Sequence, residues 1–299
     1  MIPAGWQLFR PAFLATTLLS LLAGTAAALH AGIPVVWGYL PWIVLAACAA
    51  HASVNALNDY EDFRSGLDLL TKKTSFSGGS GFLVAHPEKA PTALWLAGAS
   101  LALTILIGMY LTYARGYLVL MIGLIGVALI IGYTRLLTRY PLLCFMAPGL
   151  GCGVCMVLGT EYVLTGALST CGWFMAAIFF LLYNNLLLLN QFPDIQADSK
   201  VGRRHYPIVL GKKKSLLLYA VGGSLAVFLL VVGVGNGSFP LAALTALPPS
   251  LGYIGVFYSL SKDMQNWERL VHALRLNTIH ISSTALILSA AILLTSLNG

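Results

Sequence analysis

Two short polar stretches carry residue types able to do chemistry, and each lies where a long apolar segment ends. The first runs Asn55-Ala-Leu-Asn58-Asp59-Tyr60-Glu61-Asp62-Phe63-Arg64-Ser65-Gly66-Leu67-Asp68, and the second Asn190-Gln191-Phe192-Pro193-Asp194-Ile195-Gln196-Ala197-Asp198. Residues at i, i+3, i+4 and i+7 share a helical face, and Asn55, Asn58, Asp59 and Asp62 have that spacing. Asn190, Asp194 and Asp198 recur at i, i+4 and i+8. Carboxylates at the end of an apolar span are costly unless they bind something. Mg2+ takes one or two carboxylates and completes its shell with waters and phosphate oxygens. Two acidic stripes facing each other across a cavity would hold Mg2+ on either side of a diphosphate. In the competing reading the same aspartates form plain salt bridges with Arg64, Lys72, Arg203 or Arg204. That reading suffices for one cluster; a second cluster at the same depth favours the metal.

Neighbouring residues extend the candidate site. Gly66 is placed to end the first helix, and a turn there would bring Glu61 and Asp68 toward the cluster. Pro193 either kinks the second helix or marks the first turn of a separate short one. Tyr60, Tyr133 and Tyr183 sit at inner ends of spans, where their faces could stabilise a cation or merely anchor the interface. The loop Gly78-Gly79-Ser80-Gly81 reads as a flexible connector, with backbone amides able to cradle phosphate as the lesser alternative. His51 and His205 each lie near one of these clusters in sequence and are expected to satisfy local hydrogen bonds.

The elements that must position these residues are membrane helices. The chain has 299 residues, 58% hydrophobic and 9% charged, whereas a soluble domain carries roughly a quarter charged residues. Apolar runs of about 20 residues span a bilayer. Nine are found, near 11–31, 34–57, 92–113, 116–134, 142–160, 171–190, 215–235, 238–258 and 278–297. The expected fold is all-α and integral to the membrane, a single bundle of about nine transmembrane helices around a central cavity, with no internal domain boundary. Arg10 precedes a first segment long enough to be a retained helix rather than a cleaved signal. The cysteines, Cys152-Gly-Val-Cys155 included, read as small packing residues.

Nine crossings with the N-terminus inside put every lysine and arginine except Arg115, and every acid except Glu161, on the inner side. That asymmetry follows the positive-inside rule and predicts a cytoplasmic membrane with both acidic clusters on the cytoplasmic side. Basic loops then contact anionic lipid; nothing points to nucleic acid. An ion-coupled transporter is the rival from another class, although its charged groups would lie nearer the midplane.

The stretch Asn58-Asp-Tyr-Glu-Asp62-Phe-Arg-Ser-Gly66-Leu-Asp68 resembles the first motif of the UbiA superfamily of intramembrane prenyltransferases, nearest its 1,4-dihydroxy-2-naphthoate prenyltransferase branch. The run from Asp194 through Asp198, Gly202, Arg203 and Arg204 to Gly211 resembles the second motif, and Val157 to Gly166 a further segment of that branch. The resemblance covers nearly the whole chain. It implies a Mg2+-dependent enzyme that joins a polyprenyl diphosphate to a small aromatic acceptor, such as a quinone precursor, in a bacterial or archaeal membrane. Carried over by position, Asn58, Asp59, Asp62, Asp194 and Asp198 would hold metal. Asp62, Asp194, Arg64 and Lys72 would be the catalytic set, with both aspartates essential to turnover. Arg64, Lys72, Arg135, Arg203 and Arg204 would hold the diphosphate, and Asn55, Asn58, Asn190 and Tyr133 are the further candidates to bind the substrates. Glu61 and Asp68 are the candidates for a general base. A UbiA-type enzyme with a non-quinone acceptor is the alternative.

Overall fold

Inside a bilayer every backbone polar group must be satisfied within the protein, so apolar runs of this length become helices. The computed structural model describes residues 7–8, 10–74 and 76–298, and among them there is no strand. The main helices are α1 (Pro11–His30), α2 (Leu40–Arg64), α3 (Ala90–Arg115), α4 (Tyr117–Gly132), α5 (Pro141–Pro148), α6 (Met156–Thr165), α7 (Thr170–Asn190), α8 (Ile195–Lys200), α9 (Gly211–Gly235), α10 (Gly252–Lys262) and α11 (Trp267–Asn298). Proline opens α2, α3 and α5, where its missing N–H costs nothing. A π-helical stretch, Gly149–Cys155, joins α5 to α6, so these three pieces make one crossing.

Eight segments are long and apolar enough to cross a membrane, and α4, with 16 residues, is a shorter ninth. The bundle therefore agrees with the expected count of about nine. Helix α2 continues to Arg64, so the first polar stretch is helical until just before Gly66, in keeping with its spacing. One boundary differs from the sequence reading. Helix α11 begins at Trp267, well before the apolar run, because its first turns carry Glu268, Arg269, His272 and Arg275, which a search for apolar residues passes over.

Helix α7 is the central post: 67% of its apolar window is buried, against 44% or less for every other span. Phe179, Met175 and Leu182 of α7 pack on Ala23, Ala26 and Ala27 of α1, Val157 of α6, and Ile281, Ala285 and Leu288 of α11. Lipid is as apolar as leucine, so such contacts hold helices together by close packing rather than by exclusion of water. The π stretch shows this most sharply. A Cβ on Gly153 would lie 2.5 Å from the backbone nitrogen of Phe180, so only glycine lets the two helices approach this closely. Beside it, the Gly149 N–H donates to Asn184 Oδ1 at 2.8 Å.

Both α2 and α7 end on the same side of the bundle, called here the acidic end. The loops that follow them fold back over it. The first contains the short turns Leu67–Leu70 and Phe82–Ala85, whose Leu67, Phe82 and Leu83 are buried. The second contains α8, which packs against the Leu67–Leu70 turn. Trp42 meets Tyr110 near the opposite end, as an interfacial anchor would.

Replacing Gly153 with valine forces α5–α6 away from α7. The expected result is a fall in apparent Tm, read by size-exclusion thermostability in detergent, corresponding to a loss of about 1–3 kcal/mol.

Candidate active site

The helices line a cavity of about 610 Å³ that runs among α1 to α7 from the acidic end, called here its mouth, into an apolar depth. At its mouth stand Arg10, Asn58, Asp62, Asp68, Asp194, Asp198 and Arg203. Deeper, the walls are apolar: Ile43, Ala46 and Ala47 of α2, Leu111 of α3, Val119 and Ile130 of α4, Met156 and Val163 of α6.

The 3.6-residue repeat of α2 aims His51, Asn55, Asn58 and Asp62 into this cavity along one face. Asp59 lies on the flank of that face and does not line the cavity, a correction to the four-residue stripe. Its carboxylate pairs with Arg10 and accepts the Ser80 N–H at 3.3 Å. Arg10 also donates to Asn58 Oδ1 at 3.1 Å, and Asn58 in turn donates to Asp62 Oδ2 at 3.1 Å and Thr134 Oγ1 at 3.2 Å. After Arg64 the chain turns at Gly66, whose φ of 74° suits glycine, and this brings Asp68 to the mouth.

The second cluster is not one helical face. Helix α7 stops at Asn190, residues 191–194 form a turn containing Pro193, and Asp194 opens the separate helix α8. Of the two readings of Pro193, the short separate helix is the one observed. The turn still delivers Asn190, Asp194 and Asp198 to the cavity. Arg203 then joins the clusters: one guanidinium nitrogen donates to Asp198 Oδ1 at 2.9 Å and the other pairs with Asp62. His205 Nε2 lies 2.8 Å from Asp198 Oδ2.

Of the five basic residues expected at the site, only Arg203 lines it. Arg64 lies 5.8 Å from the Tyr60 ring centroid and Lys72 stands 4.1 Å over the ring of Trp267. Arg135, 63% exposed, is drawn outward by Glu61 at 2.6 Å. Arg204 is exposed, and its backbone N–H donates to the Thr138 carbonyl at 2.8 Å. Glu61 therefore serves this outer pair, whereas Asp68 faces the cavity. Tyr133 and Tyr183 line the cavity and Tyr60 does not. The connector loop comes closer than expected, since Gly78 and Gly79 also line it. Arg10 is the residue that sequence reasoning missed. No local pattern couples it to α2, and in the sequence it reads only as a topology charge. Its backbone is the one non-glycine position with positive φ among the described residues, at 44°, a strained geometry of the kind that clusters at functional sites.

Five aspartates share this region with two arginines, leaving three negative charges uncompensated when all are ionised. Burial first, and then repulsion from Asp62 and Asp59, pushes the Asp68 carboxyl up to about 7. Burial and the neighbouring Asp198 push Asp194 up to about 7 as well. Burial alone would lower Arg203, but Asp62 and Asp198 more than reverse it, and the guanidinium ends up raised. Asp59 Oδ2, Asp194 Oδ1 and Asn190 Oδ1 are buried with no hydrogen-bond partner among the described residues. Among those residues no three His, Cys, Asp or Glu side chains converge as a complete metal cage. Mg2+ does not require one, because it binds through one or two carboxylates plus phosphate and water. An all-oxygen donor set with partnerless oxygens and surplus negative charge fits that ion.

A helical bundle with a charged mouth and an apolar depth defines a membrane protein with a site for an amphiphilic ligand. Residues 17–279 match the UbiA prenyltransferase family, and the chain belongs to it; it is a prenyltransferase. It is 32% identical, over 77% of its length and 72% of the relative's, to the 1,4-dihydroxy-2-naphthoate octaprenyltransferase of Bacillus subtilis (strain 168). Its fold is similar to that of a digeranylgeranylglyceryl phosphate synthase (TM-score 0.71, 17% identity, 97% and 98% of the two chains). It is also similar to a UbiA homologue from Aeropyrum pernix K1 (0.70, 21%, 93% and 97%). A UbiA homologue from Archaeoglobus fulgidus, solved bound to GPP and Mg2+, matches with a TM-score of 0.66 at 15% identity over 96% and 99%.

A cation bound at this mouth would have to compete with protons at Asp68 and Asp194, whose carboxyls are pushed up to about 7. The affinity for Mg2+, read as thermal stabilisation or by calorimetry, is expected to weaken as pH falls from about 8 to about 6, with proton release on binding. Asp194→Asn should flatten that dependence.

Proposed function

We propose that this enzyme transfers a polyprenyl group from a prenyl diphosphate to a hydroxylated aromatic acceptor, with 1,4-dihydroxy-2-naphthoate as the leading candidate, and releases diphosphate with the help of Mg2+. The observation that carries this reading is the polarity of a single cavity. Both acidic clusters and two arginines meet at its mouth, and its depth is apolar. A prenyl diphosphate has that same division, and the likeness to the Bacillus subtilis octaprenyltransferase supports the choice of acceptor. The charge asymmetry of the loops supports a cytoplasmic membrane with the mouth on the cytoplasmic side.

The chain's own residues account for most of the task. Arg10 and Arg203 are cations held at the mouth by Asp59, Asp62 and Asp198, so their charge is already oriented when a diphosphate arrives. Preorganised charge of this kind is usually the largest catalytic term. Asp62, Asp68, Asp194 and Asp198, with Asp59 just behind, are the carboxylates that would hold Mg2+. When bound, the ion neutralises charge growing on the diphosphate oxygens as the allylic C–O bond breaks. The apolar walls keep water from the allylic carbon. Tyr133 and Tyr183 line the same space, where aromatic rings can stabilise positive charge. The acceptor ring forms the new bond to the allylic carbon as that carbon's bond to diphosphate breaks, and the displaced ring proton is taken up by the released diphosphate or by water at the mouth.

Purified protein in nanodiscs, supplied with geranylgeranyl diphosphate, Mg2+ and 1,4-dihydroxy-2-naphthoate, should yield prenylated product and diphosphate by mass spectrometry and phosphate assay. Asp62→Ala and Asp194→Ala should each cut turnover by at least about a hundredfold while retaining the wild-type elution profile. Wild-type rates in both variants would refute the metal–diphosphate scheme.

A further inference from the structure

Between the charged mouth and the apolar depth lies a short zone with neither character. On α2 the cavity-lining residues run Ile43, Ala46, Ala47 and Ala50, then His51 and Asn55, then Asn58 and Asp62. His51 is only 7% exposed, and its Nδ1 is tied to Thr17 Oγ1 at 2.9 Å. Its other ring nitrogen, Nε2, is buried with no partner among the described residues. One turn nearer the mouth, Asn55 Nδ2 is likewise partnerless among them, and Asn190 of α7, 8% exposed, contributes a partnerless Oδ1. All three residues line the cavity. Buried polar atoms without partners are rare and call for an explanation. Here they come from two helices and lie on the wall of one space.

Resting on the prenyl-transfer reading, we infer that His51, Asn55 and Asn190 form the seat of the aromatic acceptor, and that His51 is the residue that recognises its ring hydroxyl. The reacting carbon of a prenyl diphosphate is one bond from the diphosphate oxygen, so the acceptor ring must lie immediately beyond the phosphates on their apolar side. At about 1.5 Å per residue, Asn55 and His51 are about 4–5 Å and 10 Å from Asn58 along α2, the span of a naphthalene-sized ring. A phenolic hydroxyl both donates and accepts, so it satisfies His51 Nε2 in either tautomer. Thr17 fixes the imidazole from α1 and makes it a preset partner. The prenyl tail has no use for these groups, and the diphosphate is already matched by charge. His51 is thus a positioning and specificity residue, with Asn55 and Asn190 as its companions.

The test separates this seat from the prenyl-transfer reading. Full-length protein in nanodiscs with Mg2+ is titrated with two stable probes, 1-hydroxy-2-naphthoate and the hydroxyl-free 2-naphthoate, by equilibrium dialysis. Geranylgeranyl diphosphate binding is measured in parallel. His51→Leu and Asn55→Leu should each weaken the hydroxylated probe about tenfold and leave 2-naphthoate and the prenyl diphosphate within about twofold. His51→Gln, which keeps a donor and an acceptor, should recover part of the loss. In turnover the acceptor KM should rise in the leucine variants while the donor KM holds. Equal binding of both probes by wild type and variants overturns the seat, as does equal loss of both probes. A wild-type protein that binds prenyl diphosphate but neither naphthoate overturns the seat and leaves prenyl transfer standing. A wild-type protein that binds no prenyl diphosphate overturns both.

Discussion

Asp62 and Asp198 come from opposite halves of the chain, and the guanidinium of Arg203 holds both. Two carboxylates brought this close in a buried setting repel each other strongly. A planar cation with several donors is the natural bridge, because it can meet two carboxylates at once without being deprotonated. The bridge forms only if α2 and α7 end on the same side of the cavity, if the turn at Pro193 redirects the chain into α8, and if residues 201–205 return across the mouth. Removing the arginine from such a buried set leaves both carboxylates uncompensated, at a cost of roughly 3–5 kcal/mol. The architecture of the acidic end is therefore organised around one ion-pair junction.

That junction is incomplete as charge balance. Arg10 and Arg203 do not neutralise five aspartates, and the raised carboxyls of Asp68 and Asp194 are the electrostatic expression of the deficit. A protein could have removed the repulsion with hydrophobic residues. Retaining it leaves a mouth whose surplus negative charge favours added cations, with an apolar wall a few turns away. Along α2 the cavity wall grades from apolar at Ile43 through polar at His51 and Asn55 to charged at Asp62.

The rigid frame for this gradient is α7. Its buried aromatic and aliphatic residues leave it little freedom, and the close approach of the π stretch at Gly153 ties α5–α6 to it. The polar face of its final turns is thereby presented at a fixed depth opposite α2. In a membrane, where water exclusion between helices contributes nothing, such close contacts and a few hydrogen bonds set the positions.

Composition and spacing determined much of this. Apolar runs of spanning length dictate helices, and the bundle of about nine follows. The spacing of Asn55, Asn58 and Asp62 on α2 places them on one face, because a helix has a fixed period of about 3.6 residues. What periodicity does not reach is contact between segments distant in sequence. Arg10 reads as a topology charge, yet it pairs with Asp59; Arg64, Lys72, Arg135 and Arg204 read as phosphate ligands, yet Tyr60, Trp267, Glu61 and solvent claim them. Long basic side chains are flexible and find whichever partner the folded surface offers. Local sequence therefore settled which backbone forms and which face is polar, while the packing of the loops decided which charges meet.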